Sequence, residues 1–330
     1  MKYTENAVNI LTIKSYKGVG RAWVVKNLKG NESVNEIVSL LNEKGKQGNI
    51  TVDDFESEKT IIKEKLAIFG DRCDGLLAIG DNDFPIYRGE VKESEQPIYL
   101  FYKGNVNLLD IHNNNIAVIG LLNPDKEIEV REKKIVELIA KQDIAVVSGL
   151  ALGCDSVAHR QAIISGKTIA ILPSALNDIL PAQNRELAYE IVDQGGLLVT
   201  EYYENFKCKM ELNSRYKERD RLQALFSDTI ILAASYSQDS AERWNIRDKK
   251  LDSGARLAME FARNYNIPRA VIYNEDTDAN NPMFDLNRQL TTEDKDVVIL
   301  TKNNLNKIIN NIHENKKNKL YSPLPLGLFD

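Results

Sequence analysis

The chain has 330 residues, enough for a main domain with a smaller one beside it. Its net charge of −5 excludes a uniformly cationic binder of nucleic acid or membrane, so a nucleic-acid contact would need a local basic surface. Three widely spaced cysteines, Cys73, Cys154 and Cys208, argue against a disulfide framework or a zinc site, and no apolar run is long enough to span a bilayer. With no basic, apolar leader pattern at residues 1–16, the expectation is a cytoplasmic protein with no membrane contact.

In chain order, residues 6–48 read as short helices. Val8, Ile10, Leu11 and Ile13 recur at helical spacing, as do Ile37, Leu40 and Leu41. Between the two sets lies Lys17-Gly18-Val19-Gly20-Arg21, a glycine–apolar–glycine turn. Such glycines let the backbone approach a phosphate at the start of the next helix. The same residues also read as a tight turn with no ligand. Residues 49–110 are mixed. A polar stretch at 81–96 leads into the apolar Pro97-Ile98-Tyr99-Leu100-Phe101-Tyr102, which reads as a linker ending in a strand.

From residue 115 the pattern becomes regular. Apolar runs at 116–119, 144–147, 168–172, 197–200, 229–232, 269–273 and 297–300 alternate with helix-period stretches at 126–141, 155–165, 185–194 and 254–265. Continuous apolar strands between amphipathic helices predict buried parallel strands with helical crossovers, a doubly wound α/β sheet. Ligands of such sheets bind beyond the carboxyl ends of the strands. A further helix through 312 and a mobile tail are expected at the end.

Three segments at strand ends carry candidate chemistry. The first runs Ser148-Gly149-Leu150-Ala151-Leu152-Gly153-Cys154-Asp155 and on to His159. Its glycines and the following helix could present amides to an anion. The glycine spacing fits neither the dinucleotide fingerprint nor a Walker loop. No nucleophile pairs with His159, so a packed histidine is the reading adopted. The second is Pro181-Ala182-Gln183-Asn184-Arg185, where Asn184 and Arg185 open a helix as phosphate or base contacts, or as a cap and a solvated cation. The third, 207–221, holds Lys207, Lys209, Arg215, Lys217, Arg219 and Arg221 among Tyr202, Tyr203, Phe206 and Tyr216. Interleaved cations and aromatics suit a single strand, whose phosphates take the charges and whose bases stack. A solvated helix face is the alternative. Arg243-Trp244 to Lys249-Lys250 repeats the theme, and Ser253-Gly254 opens another helix.

Taken in order, these segments resemble the DNA-processing protein A (DprA/Smf) family. Ser148 to Asp155 with Ala158-His159 resembles its SGLARGID..AH block, and Gly166 to Leu172 its G.TIAVL. Pro181 to Asn184 resembles YP..N, Gly195 to Tyr202 resembles G.L.SE, and Arg219 to Asp228 resembles RNRIIAGLSD. Phe84-Pro85, Leu100 to Asn105 and Ser253-Gly254 fit its remaining short motifs. The chain departs from the family where GSR would end the first strand: it has Gly120-Leu121-Leu122. RNR has become Arg219-Asp220-Arg221, and the short stretch after the last strand leads us to expect no winged-helix domain there.

The resemblance implies an extended Rossmann-like, mostly parallel sheet at 115–302. A small helix-hairpin-helix domain at 1–80 and a linker with a strand at 81–114 would precede it, and a helix and tail at 303–330 would follow. It implies a non-enzymatic protein without a cofactor or metal that binds single-stranded DNA, forms a homodimer and loads a recombinase during DNA uptake or repair. Carried over residue by residue, the site would use Gly120, Ser148, Gly149, Gly153, Lys167, Asn184, Arg185, Arg219, Arg221, Ser253 and Gly254. Arg219 and Arg221 would be on phosphates, with a second contact at Gly18, Gly20 and Arg21. The alternative is a sensor or hydrolase of a nucleotide-derived ligand in the same pocket, acting in phage defence, with Asp155 or Glu201 as the catalytic acid. A scaffold with a vestigial pocket is the third reading.

Overall fold

The computed structural model describes residues 1–45, 48–247, 251, 254–301, 304–306 and 308–310. Four helices come first: α1 (Glu5–Ser15), α2 (Arg21–Asn27), α3 (Val34–Lys44) and α4 (Val52–Ala67). Each boundary has a local cause. The Thr4 hydroxyl accepts the amide of Ala7 at the start of α1. Capping boxes, Ser33 with Glu36 and Thr51 with Asp54, open α3 and α4.

The remainder alternates. β1 (Gly75–Ala78), β2 (Tyr99–Gly104), β3 (Asn115–Ile119), α5 (Lys126–Ala140), β4 (Ala145–Ser148), α6 (Cys154–Ser165) and β5 (Thr168–Ile171) come first. They are followed by α7 (Arg185–Asp193), β6 (Leu197–Thr200), α8 (Lys209–Leu225), β7 (Thr229–Leu232), α9 (Ser240–Arg243), α10 (Gly254–Asn264), β8 (Arg269–Ile272), α11 (Glu275–Asp278), α12 (Asp285–Glu293) and β9 (Val297–Leu300). The nine strands form one sheet in the order β1-β2-β6-β5-β4-β3-β7-β8-β9. From β6 to β9 all neighbours are parallel, whereas β1 and β2 pair antiparallel with each other and β2 does so with β6.

β3 is the strand from which the chain winds outward both ways. Ile116 faces Val146 of β4 on one side and Thr229 of β7 on the other. The crevice at its carboxyl end, between β4 and β7, is where a doubly wound sheet places a ligand.

Two buried clusters flank the sheet. One packs α5, α6 and α10 against the central strands through residues such as Val136, Ala158, Ile231 and Met259. The other joins the amino-terminal helices directly to the sheet, with Ile10, Leu41, Phe55 and Ile62 in one cluster with Phe101, Ala170, Leu172 and Leu198. The expected boundary at residue 80 falls just after β1, which pairs into the sheet. The segment 81–114, read as a linker with a strand, contributes that strand as β2, in the interior of the sheet. What binds these pieces together is apolar burial, worth about 25 cal/mol per Å² removed from water.

Candidate functional site

The loop between β4 and α6, at the carboxyl edge of the sheet, is heavily braced. Gly149 has no side chain, and a Cβ there would sit 1.0 Å from the Arg219 guanidinium, which lies across the loop. Gly153 has φ +73, and a Cβ on it would lie 2.2 Å from the carbonyl oxygen of Leu121. Only glycine fits both the conformation and the approach.

Polar groups fix the rest. The Asp155 carboxylate accepts the amides of Gly149 at 3.1 Å and Ala151 at 3.2 Å. Arg219 meets it at 3.4 Å and Asp220 at 3.3 Å, with Tyr216 beneath its guanidinium. With its amide oriented so that the oxygen faces the donors, Gln223 accepts from the Gly149 amide at 2.8 Å and from Arg219 at 3.0 Å. Burial pushes the Asp155 carboxyl above its usual range, with the Arg219 charge and the Ala151 amide opposing. Burial likewise opposes the Arg219 charge, yet Asp220 and Asp155 hold its pKa above the ordinary value.

His159 is fully buried, and burial, with the Arg219 charge adding, drives its pKa down to about 3. Its ring is therefore neutral. Nε2 accepts the Leu150 amide at 3.3 Å and Nδ1 donates to Thr168 Oγ1 at 2.7 Å, whose own hydroxyl donates to the carbonyl of Val146. His159 is a brace, in agreement with the packed reading of the sequence. Asn184 completes the frame. Its amide donates to the carbonyls of Leu150 at 2.8 Å and Ala151 at 3.1 Å and to the Ser156 hydroxyl at 2.8 Å.

The sequence-selected residues divide three ways. Gly120, Ser148, Gly149, Gly153, Asn184 and Arg219 converge on the crevice. Ser148 donates to Val118 O at 2.7 Å, and a Cβ on Gly120 would strike Cys154 Sγ at 2.6 Å. Arg21 and Arg221 meet each other through carboxylates instead. Arg221 is 1% exposed. It contacts Glu201 at 2.5 Å and Glu218 at 3.4 Å, while Arg21 reaches the same two at 2.9 and 2.7 Å. Arg21 is thereby spent on joining α2 to α8, and Gly18 and Gly20 serve the turn between α1 and α2. Lys167 is not part of the crevice. It is exposed and precedes β5, at the amino edge of the sheet, about 13 Å away along a four-residue strand. Arg185 is exposed at the start of α7 and lies 3.7 Å from Asp178. Gly254 opens α10, and Ser253 lies outside the described residues.

The segment read as a basic strand-end loop is the helix α8. Its carboxyl half, from Arg219 to Leu225, is buried. Lys207 and the α8 residues Lys209 and Lys217 face solvent, and none of them forms a salt bridge with a described residue. Tyr202 stacks on Arg215, with the guanidinium carbon 4.4 Å from its ring centre. Sequence reasoning did not select Gln223. Its position one turn beyond Arg219 on the same helical face was the available signal. Among the described residues, no group of three or more His, Cys, Asp or Glu is placed to hold a metal ion, and no helix is long and apolar enough to cross a membrane.

A doubly wound sheet with a glycine-built, arginine-braced loop at its switch point defines a class of Rossmann-like proteins. Residues 75–241, half of the chain, match the family model of DNA recombination-mediator protein A, and the chain belongs to that family. Protein Smf of Borreliella burgdorferi is 32% identical over 139 residues, covering 42% of this chain and 43% of that protein. DNA processing protein DprA of Streptococcus pneumoniae is 27% identical over 202 residues, 59% of this chain and 64% of that protein. The matched segment thus spans less than half the length of the Borreliella protein. The solved structure of the S. pneumoniae DprA superposes with a TM-score of 0.66 at 22% identity, covering 91% of this chain and 96% of that one. DprA of Helicobacter pylori, solved in a study of its single-stranded DNA binding mode, superposes at 0.54 with 24% identity, covering 73% and 96%. Both superpositions agree with the expected fold.

Proposed function

We propose that this chain binds single-stranded DNA along the carboxyl edge of its sheet and the solvent face of α8, as a non-enzymatic accessory protein of recombination. The observation that carries the reading is the group of outward-facing cations Lys207, Lys209 and Lys217 beside the half-buried Phe206 and Tyr216. Lys209 and Lys217 are eight residues apart, about 12 Å along a helix, so both can reach non-adjacent phosphates of one extended strand. Membership of the recombination-mediator family and the binding mode named for the H. pylori relative support the same ligand. Handing the strand to a recombinase, homodimer formation and a cytoplasmic location extend the proposal. Nothing in the geometry favours a hydrolase, because Asp155 and Glu201, the acids it would need, are both engaged in bracing contacts.

The test is fluorescence anisotropy of a labelled oligo-dT strand across a salt series, with wild type and a Lys207→Ala/Lys209→Ala/Lys217→Ala variant. Each lost phosphate contact on a single strand should lower the slope of log K against log salt by about 0.7, so the variant should be shallower by about two. An unchanged slope would remove α8 from the interface. Absence of wild-type binding at low salt would remove the DNA reading altogether. Arg219 and Arg221 are poor targets for this purpose, since replacing either strips a partner from buried carboxylates.

A further inference from the structure

Lys209, Met210, Asn213, Ser214 and Lys217 form an exposed strip along α8. Arg221 follows Lys217 by one turn, about 6 Å further along the same side of the helix. It is nonetheless 1% exposed. Glu201 and Glu218 take part of its guanidinium, at 2.5 and 3.4 Å. Residues 88–96, a stretch of irregular backbone between β1 and β2, lie against the rest, and Arg221 Nη1 donates to the carbonyl of Glu95 there. The row of cations on α8 thus continues past Lys217, but its next member is covered.

The covering segment is firmly held. The amide of Arg88 donates to the carbonyl of Leu225, the last residue of α8, at 2.8 Å, and that of Glu90 to the carbonyl of Tyr265 at 3.0 Å. Gly89 between them has φ +81, and a Cβ on it would lie 2.5 Å from the same Tyr265 oxygen, so glycine is required there. On the other side, Glu93 reaches Lys26 of α2 at 3.0 Å. The backbone therefore runs beside the last turn of α8, with Arg88 at Leu225 and Glu95 at Arg221. Its charge is negative. Glu90, Glu93 and Glu95 stand against Lys92, because the Arg88 guanidinium is buried on Asp228. Glu218 adds a further carboxylate beside Arg221. A phosphate carried past Lys217 would enter this group of acids, and within about 10 Å salt leaves much of the repulsion unscreened.

We propose that residues 89–96 form an acidic end-stop, which covers the last cation of the α8 row and confines a bound strand to the amino-terminal part of that helix. This rests on the single-strand reading proposed above and specifies where on α8 the contact ends. Glu90 and Glu93, the acids of the segment that face solvent, set the boundary by charge, and the Gly89 turn fixes its place.

The experiment measures the slope of log K against log salt by anisotropy on two oligo-dT strands, of about 8 and about 25 nucleotides, with the full chain throughout. It compares wild type, Glu90→Lys/Glu93→Lys, Glu90→Gln/Glu93→Gln and a control of equal charge change, Glu129→Lys/Glu137→Lys. The control lies on α5, which packs on α6, whereas α8 packs on α10. Glu93, Glu129 and Glu137 each give up one partly exposed ion pair, and circular dichroism melting checks that every variant is folded. On the short strand the lysine variant should match wild type. On the long strand its slope should be steeper by about 1.4, two added phosphate contacts at about 0.7 each, with affinity at low salt raised about tenfold. The glutamine variant should gain about twofold on the long strand without the steeper slope. A lysine variant that follows wild type on the long strand would overturn the proposal while leaving single-strand binding intact. Equal steepening in the control would overturn it as well, by making the effect one of net charge alone. Binding of neither strand by wild type would overturn the single-strand reading, and this proposal with it.

Discussion

Glu132, on α5, shows how much a single position can cost. It is fully buried against α6, and neither carboxyl oxygen finds an oxygen or nitrogen partner. Burial pushes its pKa well above the usual carboxylate range, with the Cys154 thiol as the main opposing influence and Asp155 adding to the rise. A group whose folded pKa is raised contributes its full stability below the unfolded value of about 4.3 and loses it as pH climbs toward the folded value. Glu132→Gln, which does not titrate, should therefore melt at a higher temperature than wild type at pH 8, by an amount that shrinks toward zero near pH 4. Differential scanning calorimetry at several pH values checks this. A constant offset across that range would show that Glu132 keeps an unperturbed pKa. The structure buries and pairs both arginines that the motifs selected. Motif order drew attention to Arg219 and Arg221, but the number of cations in a segment says nothing about which of them point outward. That is decided by carboxylates distant in sequence, such as Asp155 and Glu201.

At the scale of elements, α2, β6 and α8 are tied by one charge ladder, Arg21–Glu201–Arg221–Glu218. Glu201 is 5% exposed and serves two arginines. Glu201→Gln would leave Arg221 buried with only the half-exposed Glu218 and the Glu95 carbonyl. Removing one member of a buried pair costs about 3–5 kcal/mol, because the remaining charge stays desolvated. Urea denaturation should show a lower midpoint with an unchanged m-value. A loss below about 1 kcal/mol would mean that the ladder is effectively solvated. The helix α4 belongs to this scale as well. It lies in the stretch read as mixed, although Thr51-Val52-Asp53-Asp54 is a capping-box signature and Phe55, Lys59, Ile62 and Leu66 line one face. The acidic and basic residues around that narrow stripe masked its period.

At the scale of the molecule, the amino-terminal helices and the sheet share a buried cluster, so they should unfold together. Nature supplies two reporters, Trp23 in α2 and Trp244 just after α9. With each tryptophan replaced in turn by phenylalanine, the remaining fluorescence transition should coincide with the loss of far-ultraviolet dichroism in urea. Separate midpoints for Trp23 and Trp244 would instead establish the helical region as an independent folding unit.

The alternation of apolar strands and amphipathic helices after residue 115 was legible without a structure, because a strand buried on both faces must be continuously apolar and a crossover helix must carry an apolar stripe. Glycines at 149 and 153 were legible as a tight strand–helix loop for the same kind of local reason. The sequence alone also supported the family resemblance, which rests on the order of short motifs. The place of Lys167 just before an apolar run already put it at the amino edge. Tertiary structure decided the rest. It made β2 an interior strand, drew β1 into the sheet and turned Arg21 and Arg221 inward. These outcomes depend on pairings between residues about 20 to 200 positions apart. Local propensity and periodicity carry no information about such pairings, since the energy of a cation or a strand edge is set by whatever the fold brings against it.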